Sequence, residues 1–377
     1  MWLKVTNLEN SLFPELKEIL SIEEFSSKES KLIKILDFAE IEKMITVVRI
    51  TNPPQDRVEI ANAFIAKSVY NLQTTRDLIE RLYIDTTLRK LCGWRYKSDI
   101  PSESKFSRVF KELSEMRIAE KTQEQFVKEY LSKKIFFYNA TDATKIPLRE
   151  KPIKVKKIKP KPKKRGRPKK GEVRDPIKPK ILELQQEMNT VEEMRTLVST
   201  KCGVGIKQNS KGNREVWIGG KLHISVVDGD IPITAFYSGA NVHDSSVALP
   251  LIQETSKRVN YLYDLQDAGY DADIIREFSH KLGHRPIIDI NPKNSKKLKE
   301  KIELIKHEKD TFKYLNMHLN LDKEHYNQRS MVERVNKYLK DDFGCDKIYY
   351  QGATKVASVL AFGILSICIH QSLKLVT

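Results

Sequence analysis

The segment IFFYNATD, at residues 135–142, is an apolar and aromatic run that ends in an acid. Such a run predicts a β-strand with Asp142 at its end. A second apolar run, at residues 259–266, also predicts a strand and is followed directly by Asp267. Functional groups of open α/β sheets collect just beyond the carboxyl ends of the strands. We therefore expect the two aspartates to lie close together.

The elements around these two runs predict a mixed sheet flanked by helices. Further strands are predicted at 216–218, 221–227, 231–237 and near 286–288, with a turn at 228–229. Helices are predicted at about 181–199, from about Ser245, from about Asp273, and at about 322–340 and 353–373. Three strands, then alternating helix and strand, then two helices form the element order of a ribonuclease-H-like α/β domain.

The first 130 residues predict only helices. Ser102 is a plausible N-cap for a helix that continues through Phe110 and Leu113. Short helices with basic faces suit DNA, although many all-helical domains look the same. We expect an N-terminal all-α DNA-binding domain at 1–130 and an α/β catalytic domain at 131–377.

The positive charge of the chain is concentrated in one segment. Lys and Arg number 67 against 50 Asp and Glu, a formal net charge of +17 over 377 residues. Residues 151–180 hold fifteen of the basic residues and two acids, so +13 of the charge lies in this proline-punctuated arm. The excess indicates a polyanionic partner, with nucleic acid ahead of a membrane surface, against the alternative of a merely soluble basic protein.

Several other classes of protein are disfavoured. The four cysteines are widely scattered, with no Cys-x-x-Cys pair and no Cys/His cluster of zinc-ligand spacing, which argues against a disulfide framework or a zinc site. The first residues lack the apolar core of a signal peptide. The apolar run at 356–369 is too short to span a bilayer and predicts a buried helix. We expect a soluble, intracellular protein without a membrane partner.

Two carboxylates at the ends of neighbouring strands can share a metal ion. Mg²⁺ prefers oxygen ligands and keeps its waters, so a few carboxylates suffice. The alternative is that Asp142 and Asp267 each cap a turn or the following helix. Of the nearby acids, Asp264 lies inside the predicted strand, and Asp271 better fits the N-cap of the next helix.

The predicted helix at 322–340 carries a second set of polar groups. Residues three, four and seven positions apart share one stripe of a helix. That stripe holds Tyr326, Arg329, Glu333, Asn336 and Lys340, whereas the apolar Met331, Val332, Val335 and Leu339 fall off it and are expected to be buried. A carboxylate for metal, flanked by cations for phosphate oxygens, suits phosphoryl chemistry. A solvated face with ordinary charge pairs is the alternative.

These residues resemble a known family. The spacing Tyr326-x2-Arg329-x3-Glu333-x6-Lys340 matches the Y-R-E-K signature of DDE transposases from prokaryotic insertion sequences. Three further segments resemble motifs of that family, namely Asp142-Ala143-Thr144, Asp267-Ala268-Gly269-Tyr270-Asp271 and Asn241-Val242-His243-Asp244-Ser245. Residues 101–108 resemble its N-terminal DNA-binding domain. The resemblance covers about residues 85 to 370.

The resemblance implies a mechanism and a set of roles. Asp142, Asp267 and Glu333 would bind two Mg²⁺ or Mn²⁺ ions that activate water or a 3′-hydroxyl and stabilise the leaving oxygen. Arg329 and Lys340 would hold DNA phosphates, Tyr326 would contact the backbone, and two copies would act on paired DNA ends. The chain departs from the family pattern at Ala268, where a basic residue is more usual, and in the length of its basic arm.

The basic arm contains a motif of its own. Arg165-Gly166-Arg167-Pro168, flanked by lysines, resembles an AT-hook, in which two arginines around a glycine lie in a narrow A·T minor groove. A polycation that binds phosphates without sequence preference explains the arm equally well. Both interpretations predict DNA binding. His243 and Asp244 are interpreted mainly as residues that begin a helix.

Three functions stay open from the sequence. The first is a transposase that cleaves element ends and transfers the 3′-hydroxyl into target DNA, acting in the cytoplasm at the nucleoid. The second is a non-enzymatic DNA-binding protein that relies on the basic arm. The third is a nuclease on the same fold that cuts without strand transfer.

Overall fold

The structure, a computed structural model, describes residues 25–48, 56–152, 179–208, 212–291, 300, 303–304 and 321–375. The AT-hook-like Arg165 and Arg167 therefore lie outside the described residues.

The described N-terminal part is helical. Its α-helices are α1 (Ser27–Ala39), α2 (Ile41–Val48), α3 (Arg57–Val69), α4 (Thr75–Ile84), α5 (Thr86–Cys92), α6 (Glu103–Glu115) and α7 (Ile118–Tyr130). The predicted N-cap is confirmed: the Ser102 side chain accepts a hydrogen bond from the backbone N–H of Lys105 at the start of α6.

Six strands form one mixed sheet. They are β1 (Ile135–Pro147), β2 (Gly203–Gln208), β3 (Arg214–Val227), β4 (Ile231–Gly239), β5 (Asn260–Gln266) and β6 (Arg285–Ile288). The order is β2-β3-β1-β5-β6, and β4 also pairs with β3. Strands β1, β5 and β6 are parallel, whereas β3 is antiparallel to each of its neighbours.

Helices and short turns connect and cover the strands. They are α8 (Ile181–Gln186), α9 (Val191–Thr196), α10 (Ala248–Arg258), α11 (Asp273–Lys281), α12 (Leu321–Asn327), α13 (Ser330–Asp341) and α14 (Ala353–Lys374), with 3₁₀ turns at Asp244–Val247 and Ala268–Tyr270. The stretch predicted as one helix at 181–199 is two short helices, because Thr190 begins a new helix by capping the N–H of Glu193.

The strands differ from the predictions in three ways. The two strands predicted at 216–218 and 221–227 are one continuous strand, β3. Strand β1 does not end at Asp142 but runs on to Pro147, because β3 continues to pair with it after β5 has ended. Strand β2 was not predicted, since it is short and two of its six residues are glycines. Gly205 is required there because a Cβ would lie 2.3 Å from the ring of Trp217 on β3.

One hydrophobic core joins the N-terminal helices to the sheet. Phe64 of α3 stacks on Phe110 of α6 with ring centroids 4.2 Å apart, and Phe362 of α14 lies 5.7 Å from Phe64. The same cluster of buried side chains includes Ile224 of β3 and Leu265 of β5. Helix α14 therefore packs between the two parts of the chain.

Helix α14, at Ala353–Lys374, confirms the helix predicted at about 353–373. Its 22 residues make it, among the described residues, the one helix long and apolar enough to cross a membrane by length and composition. The apolar run at 356–369, which is too short by itself to span a bilayer, forms the middle of this helix. The prediction of burial is confirmed, since 89% of its most apolar window is buried inside the protein.

Candidate active site

The sheet register places the two predicted aspartates side by side. The last residue pair between the parallel strands β1 and β5 is Thr141 with Gln266. Asp142 and Asp267 are the residues that follow this pair on their respective strands. Since neighbouring strands lie about 4.8 Å apart, the register by itself brings the two carboxylates together.

Asp142 lies in an environment that disfavours its charge. Burial raises the pKa of the Asp142 carboxyl to about 6, the N–H of Ala143 opposes this shift, and the nearby charge of Asp267 adds to it. The cations Arg329 and Lys207 act in the opposite direction. Two adjacent acids, one of them largely buried, form a site that favours a bound cation.

The capping alternative holds for one oxygen of Asp267. The N–H of Gly269 donates to Asp267 Oδ1 over 2.8 Å, at the start of the 3₁₀ turn that follows β5. A Cβ at Gly269 would lie 2.9 Å from the same oxygen, which explains the small residue at this position. The cap orients the carboxylate and engages only one of its two oxygens.

The two rival acids have structural partners. Asp264 is buried inside β5, where Asn139, Gln266 and Ser279 donate hydrogen bonds to its carboxyl group. The interpretation of Asp264 as a strand residue is confirmed.

Asp271 is not the N-cap that the sequence suggested. It forms an ion pair of 2.9 Å with Arg276 and accepts a hydrogen bond from the N–H of Asn291. The N-cap of α11 is Ala272, with no side-chain cap. The Asp271 carboxylate is therefore engaged by Arg276, in the first turn of α11, and by the backbone of Asn291.

The predicted stripe is not carried by one continuous helix. Helix α12 ends at Asn327 and α13 begins at Ser330, so the prediction of a single helix at 322–340 is wrong. Between them the chain tightens into three-residue turns, in which Arg329 N–H donates to Tyr326 O and Val332 N–H donates to Arg329 O. Tyr326 therefore lies on α12 and Glu333 on α13.

The apolar side of α13 agrees with the prediction. The four residues expected to face the sheet, Met331, Val332, Val335 and Leu339, are all buried. Asn336 differs from the prediction, because it is also buried and its Oδ1 has no hydrogen-bond partner within the described part of the chain. The buried side of α13 is therefore wider than its apolar residues alone.

Arg329 lies between the helices and the strand acids. Its guanidinium forms an ion pair of 2.5 Å with Glu333, one helical turn later. It also lies over the Tyr326 ring, 5.8 Å from the centroid. Burial acts to lower the pKa of Arg329, but the charge of Asp142 and the pair with Glu333 raise it overall. One guanidinium therefore interacts with both a strand acid and the helix acid.

The third predicted acid is held apart from the first two. The Glu333 side chain is 55% exposed and is paired with Arg329. Across the described ranges no three His, Cys, Asp or Glu side chains lie close enough together to hold one metal ion. The structure thus brings together Asp142, Asp267 and Arg329, and it places Glu333 beside Arg329.

Two family models match the chain. Residues 139–369, well over half of the chain, match the model of the transposase DDE domain, and this span contains both strand aspartates and Glu333. The chain belongs to this family. Residues 17–112 match a second model, described as a transposase domain. Among curated proteins no match is found.

Membership of the family establishes the broad function. The protein is a transposase, an enzyme that acts on DNA, and its DDE domain implies dependence on a divalent metal. Action on DNA places the transposase in the cytoplasm.

Lys340 reaches the strand side of the transposase site. Its Nζ donates to Thr144 Oγ1 on β1 over 2.5 Å, two residues beyond Asp142. Burial lowers the pKa of Lys340, and the nearby charges of Lys145 and Lys207 lower it further. Lys340 therefore lies beside β1 near Asp142, together with two lysines that the sequence analysis did not single out.

Further residues near the acids were also missed. Tyr270 is fully buried and its hydroxyl has no partner in the described structure, while charges of Asp244, Asp142 and Asp267 all act on it. Asp289 directly follows β6, and its N–H donates to Gln266 O. The strand-end rule that identified Asp142 and Asp267 would also have identified Asp289.

His243 begins a 3₁₀ turn in the segment at 241–245. His243 is the N-cap of the 3₁₀ turn, and its Nδ1 accepts a hydrogen bond from the N–H of Ser245, which confirms the helix-start interpretation. Asp244 forms an ion pair of 2.8 Å with Lys221. The buried His223 lies 4.0 Å from the same carboxylate.

Proposed function

We propose that this transposase belongs to the Y-R-E-K group and cleaves and joins DNA with a ribonuclease-H-like catalytic domain at 131–377. The helical part at 1–130 would bind DNA, and the arm at 151–180 would interrupt the catalytic domain. A sheet with a parallel half of three strands and an antiparallel half around β3 supports this fold. The matches of two transposase models, one on each side of residue 130, support the division.

The observation that carries the proposal is the register of β1 and β5. It places Asp142 and Asp267 at the same level of neighbouring parallel strands, as two oxygen-donor groups suited to Mg²⁺ or Mn²⁺. Burial raises the pKa of Asp142 to about 6 and the charge of Asp267 adds to the rise, so a bound cation would stabilise the charged form of this acid. The donor set therefore fits the metals that the family implies.

In this proposal Asp142, Asp267 and Glu333 hold two divalent ions. The ions would supply an activated water or 3′-hydroxyl and stabilise the oxygen that leaves the phosphorus. Glu333 would reach the ions by giving up its ion pair with Arg329. That ion pair is partly exposed, so breaking it costs little free energy.

The remaining signature residues position DNA. Arg329, once separated from Glu333, presents a planar fork of N–H donors to a phosphate. Lys340 offers a point charge beside Thr144, and the Tyr326 hydroxyl contacts the sugar–phosphate backbone. In the basic arm, Arg165 and Arg167 would enter an A·T-rich minor groove.

The reaction proposed is cleavage at the element ends followed by transfer of the 3′-hydroxyl to target DNA. Two ends must be cut and joined together, so a homodimer on paired ends is part of the proposal, as is association with the nucleoid. A nuclease that cuts without joining, and a non-enzymatic protein that uses the basic arm, are the alternatives.

A metal-dependent cleavage and strand-transfer assay tests the proposal. The substrate is the DNA that flanks the coding region, with Mg²⁺ or Mn²⁺, and the wild type is compared with Asp142→Ala and Glu333→Ala. We expect the wild type to free a 3′-hydroxyl end and join it to a second duplex, and both variants to bind DNA without either step. Cleavage without joining would identify a nuclease. Binding without metal-dependent chemistry would identify the DNA-binding protein.

A further inference from the structure

Three lysines converge beside the acids. Lys340 donates to Thr144 on β1, Lys145 is the next residue on that strand, and Lys145 Nζ contacts Glu215 Oε1 on β3. Lys207 on β2 lies opposite the same Glu215 in the register of β2 and β3, and its charge acts on both Lys340 and Asp142. We call Lys145, Lys207 and Lys340 the lysine cluster.

Few carboxylates pair directly with the lysine cluster. Among the described residues Glu215 pairs with Lys145, whereas Lys207 and Lys340 form no ion pair, although the charges of Asp346 and Asp341 also act on Lys340. Like charges held close together raise the free energy of the folded protein unless an anion covers them. The arrangement is that of a site for a polyanion.

A bend in β3 brings this cluster together. In the sheet register Lys145 pairs with Lys221, yet its side chain contacts Glu215, six residues earlier on the same strand. Six extended residues span about 20 Å, which is beyond the reach of these two side chains, so β3 must curve towards β1. Gly219 permits the curve, because its φ is +149° and a Cβ there would lie 2.1 Å from Ile146 O.

The curved segment also carries an exposed apolar face. It consists of β2 paired with residues 214–219 of β3, and we call it the β2–β3 hairpin. Two cross-strand pairs, Val204 with Ile218 and Ile206 with Val216, are 43%, 41%, 66% and 60% exposed respectively. Four aliphatic side chains on one face of a hairpin exceed the scattered exposure of a soluble surface.

We propose that the lysine cluster and the β2–β3 hairpin form a track for the DNA strand that leaves the carboxylate site. The ammonium groups hold successive phosphates, and the aliphatic side chains of the hairpin contact sugars and bases. DNA is the occupant that fits, since the track is basic, begins at Asp142 and belongs to an enzyme that acts on DNA. The inference deepens the proposed function and rests on it.

The salt dependence of DNA binding tests the lysine half of the track. Binding of element-end DNA to the full chain is measured at several salt concentrations for the wild type and for the double variant Lys145→Ala/Lys207→Ala. Loss of two phosphate contacts should make the slope of log K against log salt less steep by about 1.8. An unchanged slope would overturn the assignment.

The matched control is the double variant Lys257→Ala/Lys281→Ala. Both lysines are exposed and lie at the ends of α10 and α11, just before β5 and β6 begin, and hence at the opposite ends of the parallel strands from the acids. This variant should keep the wild-type slope. An equal change in both double variants would mean that net charge alone is measured, which also overturns the track.

The apolar half is tested with Ile206→Ser/Val216→Ser. Both residues are exposed, so folding should be unaffected, and we expect about tenfold weaker DNA binding with an unchanged salt slope. If DNA affinity is unchanged and the oligomeric state shifts instead, the face binds protein and this half is wrong.

The two proposals fail in different ways. If Lys145→Ala/Lys207→Ala reduces the slope but the wild type shows no metal-dependent cleavage, the track stands and the catalytic proposal fails. If the wild type cleaves DNA and the double variant keeps the wild-type slope, the catalytic proposal stands and the track fails. Asp142→Asn provides the reference, because it should lose cleavage and keep the full slope.

Discussion

The strand side and the helix side of the site are held in place in different ways. On the strand side, Asp142 and Asp267 are positioned by backbone pairing between β1 and β5, and one oxygen of Asp267 is also fixed by the N–H of Gly269. On the helix side, Glu333 is positioned by a side-chain ion pair with Arg329 at a partly exposed surface. Backbone register is independent of ligands, whereas an exposed ion pair exchanges readily.

This difference indicates how the site is assembled. The two aspartates form a preorganised half that is present before DNA or metal binds. In the helix half, Arg329 is the counter-ion of Glu333. We expect ligands to change the helix side and to leave the strand side as it is.

The largest effect is expected for Asp267→Asn. The substitution keeps the shape and the cap on Gly269 but removes a charge from the preorganised half, so metal-dependent cleavage should fall by at least about 10³-fold. DNA affinity, measured in the same buffer by fluorescence anisotropy, should stay within about twofold of wild type because the DNA-contacting cations are untouched. Cleavage at the full rate would remove Asp267 from the site.

Leu339→Ala should lower the stability of the protein by weakening the packing of α13. Leu339 is fully buried, and its truncation leaves a cavity under α13 that should cost about 2–4 kcal/mol of the free energy of unfolding. Urea denaturation measures this cost. The matched control is Leu262→Ala at a 46% exposed position on β5, for which we expect less than about 1 kcal/mol. Equal costs would mean that α13 is not anchored by this side chain.

The buried acid of the strand side predicts a dependence of stability on pH. Burial raises the pKa of Asp264 to about 6, so the folded protein keeps a proton that the unfolded chain gives up near pH 4. The stability that this group contributes is fully present below about pH 4 and is lost as the pH rises through about 6.

Asp264→Asn removes this titration. Between pH 4 and pH 7 the wild type should therefore lose about 2–3 kcal/mol more free energy of unfolding than the variant. Urea midpoints at the two pH values measure the difference, and other titrating groups cancel because both proteins carry them. Parallel pH profiles would contradict a raised pKa at Asp264.

The smallest effect on stability is expected for Glu333→Gln. Its ion pair with Arg329 is about half exposed on the Glu333 side, so removing it should change the free energy of unfolding by less than about 1 kcal/mol. The same variant should lose cleavage if Glu333 binds metal. A thermal melt beside the cleavage assay separates the two roles, and a large loss of stability would show that the pair is structural.

Local patterns in the sequence were sufficient for much of the site. Apolar runs located β1 and β5, and the acids that follow these runs were correctly identified as neighbours. Helical spacing also identified the buried side of α13, since burial repeats with the period of the helix.

Structure that forms only through contact with another strand or side chain could not be predicted from local sequence patterns. Strand β2 has a weak intrinsic preference and exists because β3 offers it a partner. The extension of β1 beyond Asp142 likewise depends on β3. The position of Asp271 predicted that it would cap the next helix, but its side chain pairs with Arg276 instead.

The order of apolar runs, acids and helical spacings was enough to locate β1, β5, the two strand aspartates and the buried side of α13, because each of these depends on neighbours in the chain. The contact of Lys340 with Thr144 and the contact of Lys145 with Glu215 depend on residues far apart in the sequence. Such contacts are set by the packing of α13 on the sheet and by the curve of β3 at Gly219, which no local pattern encodes.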